Sequence, residues 1–214
     1  MKQIILTASI AIFGLAACTD KDSSTDKKTT TDTSAVKKMD DPAPPPMDSA
    51  ASMKAMHDFA TPGSMQQMLA KSTGTWSEDI TMWMSAGAPP SKTTSKSVNT
   101  MILGGRYLES RHTGNFMGMP FEGLSILGYN NGTKSFQSSW VDNFGTGVTL
   151  MEGKWDSTSR SITSTGKTFE PTTGKEMSIK QVFTLVDDNH QKMEMYAAMG
   201  GKESKTMEIL LKKQ

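Results

Sequence analysis

The chain has 214 residues, with 23 Lys and Arg against 22 Asp and Glu, a formal net charge of +1 and a single cysteine. The near-neutral charge, and the lack of a Lys/Arg cluster interleaved with aromatic residues, argue against nucleic-acid binding. One cysteine also excludes a disulfide within the chain.

The first eighteen residues have the pattern of a bacterial lipoprotein signal peptide. Lys2 supplies a positive charge, and the apolar stretch from Ile4 to Ala17 ends in Leu15-Ala16-Ala17-Cys18. The stretch is too short to cross a bilayer core of about 30 Å as a permanent helix. We therefore predict a signal peptide over 1–17, a lipidated Cys18, and a protein anchored in the bacterial cell envelope, at the periplasmic face or the cell surface.

Residues 18–47 are predicted to form a lipidated, disordered tether. They are rich in Thr, Ser, Asp and Lys, hold few apolar residues, and reach Pro44-Pro45-Pro46 near their end. Such a segment cannot bury enough apolar surface to offset its chain entropy. A flexible chain of this length spans about 30 Å. A single folded domain is predicted over 48–214.

Two short helices are predicted at the start of this domain, over 49–60 and 64–71. Met53 and Met56 in the first, and Met65 and Met68 in the second, recur at helical spacing. After Gly74 the apolar period changes to two, which is typical of strands. Ten strands are predicted, over 75–84, 95–103, 106–115, 121–129, 134–142, 147–155, 160–169, 176–186, 190–198 and 203–212.

The strands predict a mainly-β fold built as an antiparallel meander. Most are separated by tight turn signals such as Gly104-Gly105 and Asn131-Gly132, and no predicted helix interrupts them. Closure into an up-and-down barrel removes the open edges of such a meander. A sandwich of two sheets is the competing architecture.

Two resemblances support a barrel. Gly74-Thr75-Trp76 resembles the Gly-x-Trp that opens the barrel of lipocalins and the wider calycin group, where the Trp plugs the closed end. Longer runs are similar to a bacterial family catalogued as domain of unknown function 1579. This resemblance implies an exported or anchored protein of calycin type, and it carries no catalytic residues. The runs are Thr61 to Gly63, Trp76 to Trp83, Met101 to Tyr107, Gly118 to Gly123 and Pro171 to Lys175.

A barrel of ten strands usually leaves a cavity, although the sequence does not reveal which strand positions face it. If Arg111 faces inward, it would hold an anionic head group, such as a fatty-acid carboxylate, in a bidentate pair. The alternative is that the charged strand residues face solvent. The candidate cavity residues are Trp76, Tyr107, Arg111, Phe121, Trp140 and Tyr196.

The 18 methionines suggest a second ligand class. Soft thioethers suit Cu(I), and Met117 and Met119 in a predicted loop are the best candidates. Methionine is also an adaptable core filler, which is the simpler interpretation of the matched spacings. Some small barrels bind haem through one histidine, and His112 is the only histidine predicted in the middle of a strand.

The sequence offers no constellation for catalysis and calls for no cofactor. The leading hypothesis is a membrane-anchored envelope lipoprotein that binds a small hydrophobic or amphipathic ligand in its barrel. The alternative is a structural or partner-binding lipoprotein with a packed barrel, whose protein partners the sequence does not identify. A Cu(I)-binding protein is the remote alternative.

Overall fold

The computed structural model describes residues 48–85, 88–199 and 202–214. The predicted signal peptide, Cys18 and the tether up to residue 47 lie outside these residues. The element bounds are α1 (Ser49–Ala60), α2 (Ser64–Ala70), β1 (Gly74–Met82), β2 (Ser91–Ile102), β3 (Tyr107–Phe116), β4 (Met119–Asn130), β5 (Ser135–Asp142), β6 (Thr149–Asp156), β7 (Ser161–Glu170), β8 (Lys175–Leu185), β9 (His190–Met199) and β10 (Lys202–Lys213).

Local side-chain chemistry sets the limits of both helices. Asp48 caps α1, since its carboxylate accepts a hydrogen bond of 2.8 Å from the Ala51 amide. Pro62 and Gly63 follow the end of α1, and Gln66 accepts a 2.8 Å hydrogen bond from the Gly63 amide at the start of α2. Among the described residues, no helix is long and apolar enough to cross a membrane.

The ten strands form a closed antiparallel barrel. Each strand pairs with its neighbour in sequence, and β1 pairs with both β2 and β10. The pairing of Trp76 with Lys213 and of Met82 with Met207 marks the two ends of the closing contact. The predicted up-and-down barrel is therefore confirmed, and the two-sheet sandwich is not formed.

The largest error in the strand prediction concerns the start of β2, which begins at Ser91 rather than at residue 95. Ser91 to Thr94 are small or polar and show no apolar alternation, yet they pair with β1 from Asp79 to Met82.

Met117 and Gly118 form a two-residue turn with φ of 52° and 83°. Positive φ at both positions is typical of type I′ hairpins, so β4 begins at Met119.

Strand alternation divides the side chains into an inner and an outer set. Trp76 lies fully buried on the inner face of β1, and the positions paired with it across the ladder face the same way. The inner set therefore includes Glu78 on β1, Ser97 on β2 and His112 on β3. We call the space enclosed by these inner faces the lumen.

One end of the barrel is sealed by α2 and by a small polar hub. Leu69 of α2 packs in a buried cluster with Leu108, Phe136 and Ile162. Beside it, the Ser72 carbonyl accepts hydrogen bonds from Trp76 Nε1 at 2.9 Å and from Asn99 Nδ2 at 3.1 Å, and the Ser72 hydroxyl accepts one from Gln191 Nε2 at 2.8 Å. We call this the closed end, and the opposite end the open rim.

Leu69→Ala should destabilise the fold because it opens a cavity where α2 seals the barrel. We expect the free energy of unfolding of the full chain to fall by about 2–5 kcal/mol in urea denaturation. Leu150→Ala, at an exposed position on β6, is the matched control and should change it by less than about 0.5 kcal/mol. Equal effects of the two variants would contradict the sealing role of Leu69.

Candidate ligand-binding site

The lumen is lined by apolar side chains that are not fully packed. Leu127, Phe183 and Met193 face inward beside the buried clusters, yet each remains only partly buried. In a solidly packed interior, side chains at such positions would be inaccessible. These inner positions are therefore not completely closed to solvent, and a barrel of ten strands is usually wide enough to leave interior space.

A carboxylate and an imidazole meet on the inner face of β1 and β3. Glu78 is 1 % exposed, and its two carboxylate oxygens lie 3.1 Å and 3.3 Å from Nδ1 of His112. The hydroxyl of Ser95, directly opposite on β2, donates a hydrogen bond to Oε2 of Glu78. Oε1 has no well-directed hydrogen bond, and neither does the buried hydroxyl of Ser97.

Burial alone would raise the pKa of the Glu78 carboxyl, because a charge is disfavoured away from water. The hydrogen bond and the charge of His112, together with the Ser95 hydroxyl, outweigh burial and hold the pKa of Glu78 below its ordinary value of 4.5. Glu78 is therefore ionised at neutral pH, and it places a negative charge inside the barrel.

A line of aromatic rings leads from the open rim to this pair. The His112 ring meets Trp140 edge-on with centroids 5.2 Å apart, Trp140 stacks with Phe121 at 6.3 Å, and Phe121 contacts Phe144 at 5.9 Å. Phe144 lies in the exposed β5–β6 loop. The rings therefore connect the rim to the buried carboxylate without a break.

Trp140 is fixed by contacts on two sides. Its Nε1 donates a 2.7 Å hydrogen bond to Asp142, whose other oxygen accepts a 2.9 Å bond from the Phe144 amide. Below the ring lies Gly123, where an added Cβ would stand 2.5 Å from Cη2 of Trp140. Glycine is therefore required for the indole to lie flat against β4.

The structure divides the six candidate cavity residues between the two faces. Phe121 and Trp140 lie on the inner face near the open rim, and Trp76 lies on the inner face at the closed end. The other three lie on the outer face, so they do not line the lumen. These are Tyr107, Arg111, whose Nε is 2.8 Å from a Glu109 oxygen, and Tyr196, whose ring lies 4.5 Å below Nζ of Lys180.

Sequence reasoning missed Glu78, Ser95 and Asp142. A signal for Glu78 was present, because it interrupts the apolar face formed by Trp76, Ile80 and Met82 at alternate positions. A carboxylate on an otherwise apolar face of a strand indicates a buried polar function. Ser95 and Asp142 carry no comparable signal.

The two methionines predicted as copper ligands lie at the open rim, whereas His112 lies on the inner face of β3. Met117 occupies the β3–β4 turn and Met119 follows it, both exposed at the open rim. Among the described residues, His, Cys, Asp and Glu form no group of three that could hold a metal ion.

Outside the barrel, a cleft of about 620 Å³ lies between α1, α2 and the β4–β5 turn, with Phe59, Gln66 and Asn131 in its wall.

Sequence and structure comparisons agree with this architecture. The model of a family described as "Protein of unknown function (DUF1579)" matches residues 61–213. The chain is similar to the solved structure titled "Crystal Structure of Rv2717c from M. tuberculosis", with a TM-score of 0.52 and 14% identity over 72% of this chain and 99% of that chain. At this identity, the likeness concerns the fold alone. No curated protein matches the sequence.

The lowered pKa of Glu78 makes a specific contribution to acid stability. A carboxyl whose pKa is lower in the folded protein than in the unfolded chain stabilises the fold above the unfolded pKa, and this stabilisation is lost as the pH falls through the folded pKa. We expect the free energy of unfolding of the full chain to decrease below pH 4.5 partly for this reason. In Glu78→Gln that part of the decrease should be missing.

Urea denaturation at a series of pH values measures this difference. Glu122→Gln, which removes a carboxylate from an exposed position of β4, is the control and should keep the acid dependence of the original chain. An unchanged acid dependence in Glu78→Gln would show that the buried pair does not stabilise the charged carboxylate.

Proposed function

The chain belongs to the family described as protein of unknown function DUF1579, and on that premise we propose that it is an envelope lipoprotein whose barrel holds a small amphipathic molecule. The observation that carries this proposal is the line of rings from Phe144 to the Glu78–His112 pair. Small-ligand sites in proteins are mostly apolar, with a few convergent polar groups. The lumen has this composition.

In the proposed complex, the apolar body of the ligand lies against Phe121 and Trp140, and its polar end lies at Glu78 and His112. The closed end, sealed by α2, leaves the open rim as the entrance. The predicted anionic partner of Arg111 has no place in this arrangement, because Arg111 lies on the outer face with its side chain 64% exposed.

Anchoring is the second part of the proposal, and the sequence before residue 48 supports it. Lys2, the apolar stretch up to Ala17 and the lone Cys18 have the order and spacing that lipoprotein processing requires. Each buried methylene of the acyl chains adds about 0.8 kcal/mol to membrane attachment. A protein held at a membrane surface in this way is close to apolar molecules that the barrel could bind.

One observation favours a second function, in which the protein binds another protein and holds no ligand. α1 buries none of its residues, and it presents Met53, Met56 and Phe59 to solvent on one side. Exposed apolar residues grouped in this way are typical of interaction surfaces. This function does not need an accessible lumen, so the ligand experiment below separates the two.

If the barrel holds a ligand, the purified full chain should release about one small molecule per chain when it is extracted with organic solvent and analysed by mass spectrometry. It should also bind the neutral fluorophore N-phenyl-1-naphthylamine saturably. Gly123→Ala should weaken this binding about tenfold, because the new methyl group displaces the Trp140 ring by its overlap with Cη2.

Gly147→Ala is the matched control, since a Cβ at Gly147 has no neighbour within 4 Å. It should bind the fluorophore like the original chain. If no molecule is extracted and the fluorophore does not bind, the lumen holds no ligand, and the partner-binding function is the better account.

Anchoring predicts a modified cysteine. Mature protein isolated from bacterial membranes should begin at Cys18, carry a mass increase equal to its acyl groups, and incorporate labelled palmitate. Cys18→Ser should lose the label and leave the membrane fraction. The Leu150→Ala variant, which does not alter the signal sequence, serves as the control, and an unmodified N-terminus would refute the anchoring proposal.

A further inference from the structure

We propose that the molecule held in the lumen is an organic cation, in which a protonated nitrogen is attached to an aromatic or apolar body. This inference rests on the proposed ligand-binding function and specifies its chemical class. It follows from the buried carboxylate, its unpaired oxygen and the aromatic rings that line the lumen between Glu78 and the open rim.

Between the two ends of the barrel, the charged side chains on the inner face are Glu78 and its partner His112. Glu78 faces the lumen on β1, and Asp142 faces it at the end of β5. The described lysines on the inner face lie at the ends of strands: Lys213 at the closed end, with Nζ 5.5 Å from the Trp76 ring, and Lys175 and Lys202 at the open rim. No lysine or arginine of the described residues faces the lumen between these ends.

One oxygen of the buried carboxylate lacks a hydrogen-bond donor. Oε1 of Glu78 lies 3.1 Å from Nδ1 of His112 without a well-directed hydrogen bond, and Glu78 is buried. A buried acceptor without a donor destabilises the fold, and an N–H group of a ligand would satisfy it with a charge-assisted hydrogen bond. A ligand carboxylate would instead add a second negative charge.

The aromatic rings suit the same ligand. Trp140 lies between His112 and Phe121, and its Nε1 is directed away to Asp142. Its donor is therefore occupied, and a ligand can meet the indole on the side of the ring that is turned away from Gly123. Ring faces attract cations, with Trp the strongest of the aromatic residues. Carboxylates and aromatic faces together are the usual environment of a bound organic cation.

Three probes with one naphthalene body isolate the charge of the ligand: 1-naphthylmethylammonium, 1-naphthylacetate and 1-naphthalenemethanol. Calorimetric titration of the purified full chain at neutral pH should show the ammonium compound binding at least about tenfold more tightly than the alcohol. The acetate should bind most weakly. Equal affinities, or the tightest binding by the acetate, would overturn the inference and leave the ligand-binding function intact.

Glu78→Gln keeps the shape of the side chain and removes its charge. This variant should bind the ammonium compound and the alcohol with about equal affinity. Glu122→Gln, on the outer face, should keep the preference. Asp142→Asn provides a second lumen variant with the same expected direction, for use if Glu78→Gln is unfolded by circular dichroism. If none of the three probes binds the original chain, this inference fails, and the proposed function fails with it only if no molecule is extracted and N-phenyl-1-naphthylamine does not bind.

Discussion

The pairing of β1 with β10 is the constraint on which the rest of the structure depends. This contact joins the first and last strands of the chain, from Trp76–Lys213 to Met82–Met207, and it converts a meander with two open edges into a barrel with none. Once the ring is closed, the side chains of every strand divide into those that face the lumen and those that face solvent. The direction in which Trp76 points then determines the inner set around the whole ring.

The buried carboxylate is the least expected member of this inner set. Removing an ionised Glu78 from water costs several kcal/mol unless partners replace the water, and His112 and Ser95 replace only part of it. A well-packed apolar side chain at this position would avoid that penalty. The charge is therefore better explained by the proposed ligand binding than by stability. The rings that lead to Glu78 from the open rim fit the same proposal.

The sequence was sufficient for most of the fold and for little of the site. Period-two patterning and turn residues located all ten strands, and the N-terminal limit of β2 was missed because Ser91 to Thr94 are held by pairing with β1 rather than by apolar burial. Whether a strand residue lines the lumen depends on which face of the sheet its side chain occupies, and a register shift of one residue exchanges the two faces. Arg111 and His112 are neighbours in sequence, yet one lies in solvent and the other in the lumen.

Contacts between distant strands were also invisible in the sequence. Glu78 and His112 are 34 residues apart, and they meet only because β2 lies between β1 and β3 in a fixed register. The contact of His112 with Trp140 similarly requires β4 and its Gly123. For Trp76, by contrast, the resemblance of Gly74-Thr75-Trp76 to the Gly-x-Trp of lipocalins, at the start of the first strand, implied a place at the closed end, and it lies there in the structure.

A barrel that is sealed at one end exchanges its contents through a single opening. With Leu69, Trp76 and the Ser72 hub occupying the closed end, the proposed ligand would have to pass Phe144 and Phe121 both on entering and on leaving. Residues at the open rim would then set the rates of binding and release together, and hence the lifetime of the complex. Residues deep in the lumen would set which ligands bind. Under the proposed function, sealing one end of the barrel thus separates the kinetics of binding from its selectivity.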